Sequence, residues 1–310
     1  MKNKKAKIYF LFITVPVIIL FLNAVSYAQS SKKGKTVNTI GFMQGLFSSV
    51  NINDAQAGVR IWISKIVKNN SLFDKYNVNV KIYDDINQVL SQKSRDNLST
   101  LSLTTPDYII YGSKLGLEPV LVPSIDDEAG SEYYLLVNKN KNYNNLEDLK
   151  NTVIGLTSEE SHKASVLWLD VTLAKNHLPQ KEKFFNKIEY SEKESKLILN
   201  LFFGQTDACL VSNHDFRLMK ELNPQIGNKL KIIATSPEYL WGLVCFTKSF
   251  DDAEKNIFSS SALKFQNLTS GKQLFSLLKM DKLIPFRKEY LETYKTLLKE
   301  YNNLIRGKNY

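Results

Sequence analysis

Histidine and cysteine are scarce in this sequence, which has three histidines and two cysteines among 310 residues. His162, His177 and His214 do not form an HExxH motif or another short metal-ligand spacing. Two cysteines are too few for the disulfide framework of a small secreted domain. The composition therefore predicts neither a metal site nor a cofactor.

Motifs of the common enzyme classes are also missing. The sequence has no G-x-S-x-G nucleophile elbow. The tripeptide Gly34-Lys35-Thr36 resembles the end of a P-loop, but Gln29 stands where that motif requires glycine, and a predicted strand follows the motif instead of preceding it. Because no nucleophile and base can be paired, we expect a binding protein and not a hydrolase.

Basic residues outnumber acidic ones, 41 to 31, which gives a formal charge of +10. The lysines are scattered, and no basic stripe is interleaved with aromatic residues, so a nucleic-acid partner is not expected. We interpret the charge as a lysine-rich solvated surface, and attraction to anions or to an acidic membrane surface is the alternative.

The first 28 residues have the layout of a signal peptide. A start with four lysines precedes the apolar run 8–25, and Ser26-Tyr27-Ala28 forms a small-x-small cleavage site before Gln29. The apolar run is also long enough for an uncleaved anchor helix. Both alternatives place the rest of the chain in the periplasm or another extracytoplasmic space. The absence of a cysteine near residue 28 argues against a lipid anchor.

The two cysteines, Cys209 and Cys245, lie in the short apolar runs 208–211 and 243–246. Such surroundings are typical of buried free thiols. An exported location would also permit a disulfide between them. The sequence alone leaves both alternatives open.

Strand and helix patterns alternate along the chain and predict an α/β fold with mainly parallel sheets. The pattern runs from a strand at 36–43 to another at 119–123, with Asn53 expected to cap the first helix. It then restarts at 133–137 and resumes after residue 240. We therefore expect one lobe from 36–128 and 238–310, a second lobe from 129–237, and two crossings near 126–133 and 235–240.

Polar loops follow three of the predicted strands, at the strand ends where ligands bind in open α/β sheets. Each loop leads into a helix, and helix N-termini offer unpaired N–H groups and partial positive charge to an anion. Plain helix capping by serine and threonine is the alternative for each loop. The candidate ligand-binding residues are Ser48 in the first loop, Thr104, Thr105 and Tyr108 in the second, and Ser161, His162 and Lys163 in the third.

Glu159 and Glu160 in the third loop would repel an anion if they pointed into a cleft. Glu160 stands three residues after Thr157, which is the capping-box spacing, so it could face the backbone instead. The alternative is a carboxylate that selects a ligand with an amine.

Several stretches of the chain resemble the phosphate/phosphonate-type solute-binding proteins of ABC transporters, a branch of the type 2 periplasmic binding proteins. The resembling stretches are LSTLSLTTPDY (98–108), GSEYYLLV (130–137), LEDLKNTVIG (146–155), FFGQTDACLV (202–211), ELNPQIGNKLKIIATSP (221–237) and GKQLFSLLKMDKL (271–283). The segment 159–163, Glu-Glu-Ser-His-Lys, departs from the Ser/Thr/Gly-rich loop of that family.

The resemblance implies a two-lobed fold in which a small polar ligand, expected to be a phosphate- or phosphonate-like oxyanion, is bound between the lobes. It implies contributions from Thr104, Thr105 and Tyr108, from the loop 157–163, and from Asp207, which begins the segment DACLV. The expected protein is a monomer that delivers the ligand to an ABC permease. The alternative is a sensor that reports the ligand to a membrane kinase or cyclase, and an uncleaved anchor would favour it.

Overall fold

The computed structural model describes residues 36–47, 50–69, 71–158 and 162–305. The proposed signal segment 1–28, Ser48, Ser161 and the two glutamates Glu159 and Glu160 lie outside the described residues. No helix in the described ranges is both long enough and apolar enough to span a membrane.

The described part of the chain contains thirteen strands in three sheets. They are β1 (Thr36–Met43), β2 (Tyr76–Tyr83), β3 (Leu98–Thr104), β4 (Glu118–Ser124), β5 (Gly130–Ser131), β6 (Tyr133–Asn138), β7 (Val153–Thr157), β8 (Lys187–Ser191), β9 (Ala208–Ser212), β10 (Leu230–Thr235), β11 (Tyr239–Leu240), β12 (Gly242–Phe246) and β13 (Lys282–Pro285).

Eleven α-helices connect these strands within the same described ranges. They are α1 (Ile52–Lys68), α2 (Ile86–Gln92), α3 (Thr105–Leu115), α4 (Lys163–Lys175), α5 (Lys181–Phe184), α6 (Glu194–Phe202), α7 (Asn213–Leu222), α8 (Pro224–Lys229), α9 (Asp252–Phe265), α10 (Thr269–Leu277) and α11 (Glu292–Leu304). Short 3-10 turns lie at Gln44–Phe47, Ser71–Lys75, Glu147–Leu149 and Lys288–Leu291.

Lobe 1 is built on a six-stranded sheet with the order β13-β4-β12-β3-β1-β2. Strands β1 to β4 run in one direction, and β12 and β13 run in the opposite direction. Strand β12 is antiparallel because the chain enters this sheet from the second lobe, at the end where β3 leaves it. Its first residue, Gly242, pairs with Thr104, the last residue of β3.

Lobe 2 has a five-stranded sheet with the order β10-β6-β9-β7-β8. Its entering strand, β6, is antiparallel to both neighbours, while β7, β8, β9 and β10 share one direction. The entering strand again begins where its neighbour ends, because Tyr133 pairs with Ser212 at the end of β9. The carboxyl ends of most strands in both sheets therefore lie at the ends where the chain passes between the lobes.

Two of the passages between the lobes pair with each other. Gly130–Ser131 and Tyr239–Leu240, strands β5 and β11, form a two-stranded antiparallel ribbon. The backbones approach so closely that a Cβ at Gly130 would lie 2.5 Å from the carbonyl oxygen of Tyr239. Glycine at this position is what permits the pairing.

Helix α1 shows how sequence, cap and packing agree. Its apolar positions form one buried face that includes Val59, Trp62 and Ile66. Asn51 caps it by accepting hydrogen bonds from the backbone N–H groups of Asn53 and Asp54, at 3.0 and 3.3 Å. The prediction that Asn53 is the cap was therefore wrong by two residues, because Asn51 is the residue that keeps an extended backbone.

The C-terminal helix corrects the predicted division into lobes, which assigned 238–310 to lobe 1. Helix α11 packs on α4, and its buried residues Tyr294 and Leu297 belong to the same apolar cluster as Leu169 and Val171 of lobe 2. The repeat of apolar residues predicted the helix but not its partner, because an apolar face does not identify the lobe that it covers.

The two cysteines are free and buried in different sheets, Cys209 in β9 of lobe 2 and Cys245 in β12 of lobe 1. Burial is the main reason that the pKa of each thiol is raised. The two cysteines are therefore buried free thiols and do not form a disulfide with each other.

Candidate functional site

A cleft of about 1190 Å³ lies at the meeting ends of the two sheets. Lobe 1 contributes Leu46 after β1 and Trp241 before β12, and lobe 2 contributes His162 and Ser212. Ser131 of the ribbon also lines it. The cleft therefore lies where open α/β sheets place their ligands, beyond the strand ends.

His162 is the predicted site residue that the structure places in the wall of this cleft. It directly precedes α4, and the hydroxyl of Tyr133 lies 3.3 Å from its Nδ1 atom. The two rings meet edge to face with their centroids 5.8 Å apart. The Nδ1 side of the His162 ring therefore faces Tyr133.

Glu194, at the start of α6, lies buried beneath His162 and Ser212, with 3% of its surface exposed. Its Oε2 atom accepts two hydrogen bonds from Ser212, from the backbone N–H at 2.9 Å and from the hydroxyl at 2.6 Å. Its Oε1 atom lies 3.5 Å from Nδ1 of His162. The carboxyl group therefore joins the end of β9 to the histidine in the cleft wall.

Burial is the main reason that the pKa of Glu194 rises from 4.5 to about 8, and the nearby charge of Asp215 raises it further. The hydrogen bonds from Ser212 act in the opposite direction, because they stabilise the carboxylate. Near neutral pH Glu194 is therefore mostly a carboxylic acid, and Oε1 is the oxygen that can carry its proton because Oε2 already accepts two bonds.

The second predicted loop lies behind the wall of the cleft and not in it. The Thr104 hydroxyl donates to Asp107 Oδ2 at 2.9 Å and accepts from the Asp107 backbone N–H at 3.4 Å, so it caps α3. Thr105 is fully buried, and its backbone N–H donates to the Trp241 carbonyl at 3.2 Å. The Tyr108 ring packs over Gly112, and burial raises its pKa. Thr104 therefore acts as a helix cap, which was the alternative to ligand binding for this loop.

Asp207 and Lys163 are not brought to the cleft wall. Asp207 precedes β9, at the end of that strand opposite to Ser212. Its carboxylate accepts from Tyr143 at 3.2 Å and from the Val153 N–H at 3.0 Å, which ties the starts of two strands together. The expectation that Asp207 faces the ligand is corrected by this geometry. Lys163 is exposed at the start of α4.

A polar network holds the first passage between the lobes against α7. His214 Nε2 lies 3.2 Å from the Gly130 carbonyl, and its Nδ1 lies 2.9 Å from Arg217 Nη2. Arg217 donates, so Nδ1 accepts and Nε2 carries the proton that bonds Gly130. Arg217 also pairs with Asp126, whose backbone N–H donates to Asp281 of lobe 1 at 2.7 Å.

Cationic groups line the lobe 1 side of the cleft. Lys272 and Lys279 face it without an ion-pair partner among the residues described, whereas Lys282 is paired with Asp127. Asp215 and Glu221 line the lobe 2 side. The cleft is therefore polar and of mixed charge, and the unpaired ammonium groups are on the lobe opposite to His162.

Sequence reasoning missed Glu194, Ser212 and Trp241 as residues of the site. Strand β8 was not predicted, so Glu194 was not recognised as a residue that follows a strand end. Ser212 followed by Asp215 has the spacing of a helix cap after a buried strand, and that signal could have identified this loop. Trp241 lies in a passage whose position only the topology defines.

Two packed α/β lobes, joined by paired passages around a polar cleft, define a two-lobed binding protein. The model of a family described as ABC transporter, phosphonate, periplasmic substrate-binding protein matches residues 64–291. The match spans most of the chain, which therefore belongs to this family. The expected class, a solute-binding protein of an ABC importer, is confirmed, and the family consists of transport proteins and not enzymes.

Solved structures show the same fold at low sequence identity. A binding-protein component of an ABC phosphonate transporter from Pseudomonas aeruginosa is 16% identical, with a TM-score of 0.60 and 89% of each chain covered. PhnD1 from Prochlorococcus marinus, in complex with methylphosphonate, is 15% identical, with a TM-score of 0.59 over 86% of this chain and 98% of that one.

A Xanthomonas citri protein bound to ATP is 11% identical, with a TM-score of 0.62 over 87% of this chain and 98% of that one. No curated protein matches the chain in a sequence search. The expected type 2 periplasmic binding-protein fold is confirmed.

Proposed function

We propose that the protein captures a small phosphonate-like oxyanion in the cleft and delivers it to an ABC permease. Membership of the phosphonate-transporter family supports this ligand class. The observation that carries the proposal is the arrangement of His162 in the cleft wall with Glu194 behind it.

Glu194 and His162 together form a hydrogen-bond donor for the oxyanion. When the proton between them is on Glu194, it points from Oε1 towards Nδ1, and the neutral imidazole carries its own proton on Nε2. When the proton is on Nδ1, the imidazolium still carries a proton on Nε2 and adds a positive charge. A positive charge on the imidazolium would attract the oxyanion electrostatically.

Lys272 and Lys279 are proposed to meet the same anion from lobe 1. A ligand that contacts both lobes favours the closed arrangement, because its binding free energy differs between the open and closed states. The residues 1–28 are proposed to act as the export signal, and the protein is proposed to work as a monomer.

The test is thermal unfolding of the purified protein against phosphate, phosphite, methylphosphonate, aminoethylphosphonate, sulfate and short carboxylates. A ligand that binds only the folded state stabilises it by mass action and so raises the melting temperature. At a ligand concentration one hundred times Kd, the free energy of unfolding increases by about 2.7 kcal/mol. We expect a rise with at least one phosphonate. The absence of a rise with every compound in the panel would overturn the proposal.

His162→Asn and His177→Asn make a matched pair for the role of the histidine. His177 follows α4 at a positive φ of 56° and does not line the cleft. We expect His162→Asn to weaken phosphonate binding at least tenfold by calorimetry and His177→Asn to leave it unchanged. Equal phosphonate affinities in the two variants would show that His162 does not contribute to ligand binding.

A further inference from the structure

Lobe 2 has a basic and apolar surface where helices α6 and α7 end. Helix α6 leads into β9 and helix α8 leads into β10, and these two strands begin at the same edge of the sheet. That edge is opposite to Ser212, which ends β9 in the wall of the cleft. The residues that follow α6 and those of α8 therefore lie at one end of lobe 2, outside the cleft.

Two apolar side chains of this region protrude into solvent. Leu222 at the end of α7 is 72% exposed, and Phe203 directly after α6 is 68% exposed. These are the highest values for large apolar side chains in the described part of the chain. Helices α6 and α7 pack against each other, and neither Leu222 nor Phe203 lines the cleft. Exposed apolar side chains that gather in one region are typical of an interaction surface.

Three lysines gather around α8 in the same region. Lys139 Nζ donates to the Gly227 carbonyl oxygen at 2.8 Å, and a Cβ at Gly227 would lie 3.1 Å from Lys220 Cδ. Lys229 ends α8, and its Nζ lies 4.7 Å from the centre of the Phe202 ring, which in turn contacts the ring of Phe203. Within the described ranges none of these ammonium groups has an ion-pair partner.

The acidic side chains nearby leave an excess of positive charge. Asp207 is occupied by the hydrogen bonds described above, and Asp148 accepts from two backbone N–H groups at 2.7 and 3.2 Å. Glu221 lines the cleft. Glu147 is exposed, but Lys231 offsets it, since its ammonium group is bonded to the same loop. The lysines around α8 are therefore available to an anionic partner.

We infer that the docking surface formed by Phe203, Leu222, Lys139, Lys220 and Lys229 binds an anionic phospholipid bilayer. The ammonium groups match the headgroup phosphates, and the two apolar side chains reach the boundary between headgroups and acyl chains. A bilayer accepts protruding apolar side chains without a complementary pocket, which a protein partner would have to provide. This assigns a location to the attraction to an acidic membrane surface that the net charge left open.

The inference is independent of the proposed function, because none of the five residues lines the cleft. It adds a second binding activity to the protein, directed at lipid and not at the solute. Its failure would leave solute capture unaffected, and the absence of a solute would leave lipid binding unaffected.

A fluorescent label at position 203 tests contact with lipid, and it does so whether or not residues 1–28 are cleaved. Cys209 and Cys245 are buried, so a thiol-reactive, environment-sensitive dye is directed to the new thiol in Phe203→Cys. Vesicles of phosphatidylglycerol and phosphatidylcholine should shift its emission to the blue, and vesicles of phosphatidylcholine alone should not. Leu268→Cys, at a position 50% exposed on lobe 1, is the control and should show no shift.

The absence of a shift at position 203 with the anionic vesicles would overturn the inference. An equal shift with neutral vesicles, or at the control position, would overturn it as well, because the contact would then depend neither on lipid charge nor on this surface.

Replacement of the three lysines of the docking surface by glutamine tests the role of their charge. In labelled Phe203→Cys, each single replacement should raise the lipid concentration for half of the emission shift about fivefold at low salt. The matched control is the same replacement at three exposed lysines on helices of lobe 1, Lys68, Lys114 and Lys264. Equal lipid dependence in the two triple variants would exclude the lysines around α8 as the membrane contact.

Discussion

Glu194 accepts both the backbone N–H and the hydroxyl of Ser212 through a single oxygen, at 2.9 and 2.6 Å. This contact joins the start of α6 to the end of β9 beneath the cleft. Because one oxygen takes both bonds, the other is directed at His162, 3.5 Å away. The buried carboxyl thus supports the cleft wall from below, through its contacts with Ser212 and His162.

Glu194 should make stability depend on pH. Its folded-state pKa of about 8 exceeds its ordinary value of 4.5, so the folded state holds a proton that the unfolded state has released. This contribution is fully present below pH 4.5 and is lost as the pH rises through 8. Compared with Glu194→Gln, the wild type should lose up to about 1.4 kcal/mol per pH unit in that window.

Urea denaturation of both proteins at several pH values between 5 and 9 measures this difference. Among the residues that the structure describes, Asp215 is the acidic group beside Glu194, and His162 and Cys209 are its other titratable neighbours. Glu192→Gln, at an exposed position two residues earlier, is the control and should follow the wild type. Parallel curves for wild type and Glu194→Gln would show that the carboxyl is not protonated.

The contribution of Glu254 to stability should depend on pH in the opposite direction, because its pKa is lowered. It accepts hydrogen bonds from Tyr76 at 2.7 Å and from the Asp251 N–H at 3.0 Å, and it pairs with Lys75 at 2.8 Å. Burial favours its neutral form, but the hydrogen bonds from Lys75 and Tyr76 outweigh burial and lower its pKa. Its stabilisation is therefore present above its ordinary pKa and is lost as the pH falls through the lowered value.

Glu254→Ala should cost about 1–3 kcal/mol at pH 7, because it removes a capping-box partner of α9 and leaves the Tyr76 hydroxyl without its acceptor. Asp252→Ala, in the first turn of the same helix, is the control, since the Asp252 side chain is 96% exposed. Chemical denaturation at pH 7 compares the two. A similar loss in both variants would mean that the network around Glu254 adds nothing beyond helix propensity.

Gly130→Ala should disturb the ribbon between the lobes. The added methyl group would lie 2.5 Å from the Tyr239 carbonyl oxygen, so the backbones of β5 and β11 must separate. Such overpacking costs about 1–3 kcal/mol. Gly227→Ala in α8 is the matched change, because its methyl group would meet only the flexible end of Lys220 at 3.1 Å.

Thermal unfolding measures the stability of both glycine variants, and calorimetry measures their affinity for the ligand. We expect a lower melting temperature and altered affinity only in Gly130→Ala. A stable Gly130→Ala protein with wild-type affinity would show that the pairing of the passages is not required for closure.

Thr104→Ala distinguishes a helix cap from a ligand contact. Loss of the cap on α3 should cost about 0.5–2 kcal/mol, as should loss of the Asp85 cap on α2 in Asp85→Ala. Because the Thr104 hydroxyl is occupied by Asp107, phosphonate affinity should stay at the wild-type value in both variants. A loss of phosphonate affinity in Thr104→Ala but not in Asp85→Ala would show that the Thr104 hydroxyl contacts the ligand.

Local patterns were sufficient for much of the fold. Strand β1 was predicted with the bounds that it has, Thr36–Met43, because its apolar residues end at a polar loop. Strand β8 was missed because its residues are only partly buried and do not show a clear apolar alternation. The partner of α11 could not be predicted, since the contacts of Tyr294 with lobe 2 depend on the path of the whole chain.

The site was harder to predict than the fold. His162 was identified because it lies in a polar loop between a strand and a helix, which is a local feature. Glu194 and Trp241 act at the cleft through contacts with residues far away in sequence, and no local pattern indicates such contacts. Asp207 was predicted at the start of β9, where it lies, but the resemblance implied that it faces the cleft, and it is the other end of this strand, at Ser212, that meets the cleft.

The position of β12 in the middle of the lobe 1 sheet has a consequence for how the chain acquires its structure. Strands β3 and β4 have β12 between them, so this sheet stays incomplete until residues 242–246 have been synthesised. All five strands of the other sheet lie within 133–235 and can assemble from a continuous segment. Contacts between distant segments form slowly. The sheet that begins first in the chain is therefore completed last, although α11 must still pack against the other lobe afterwards.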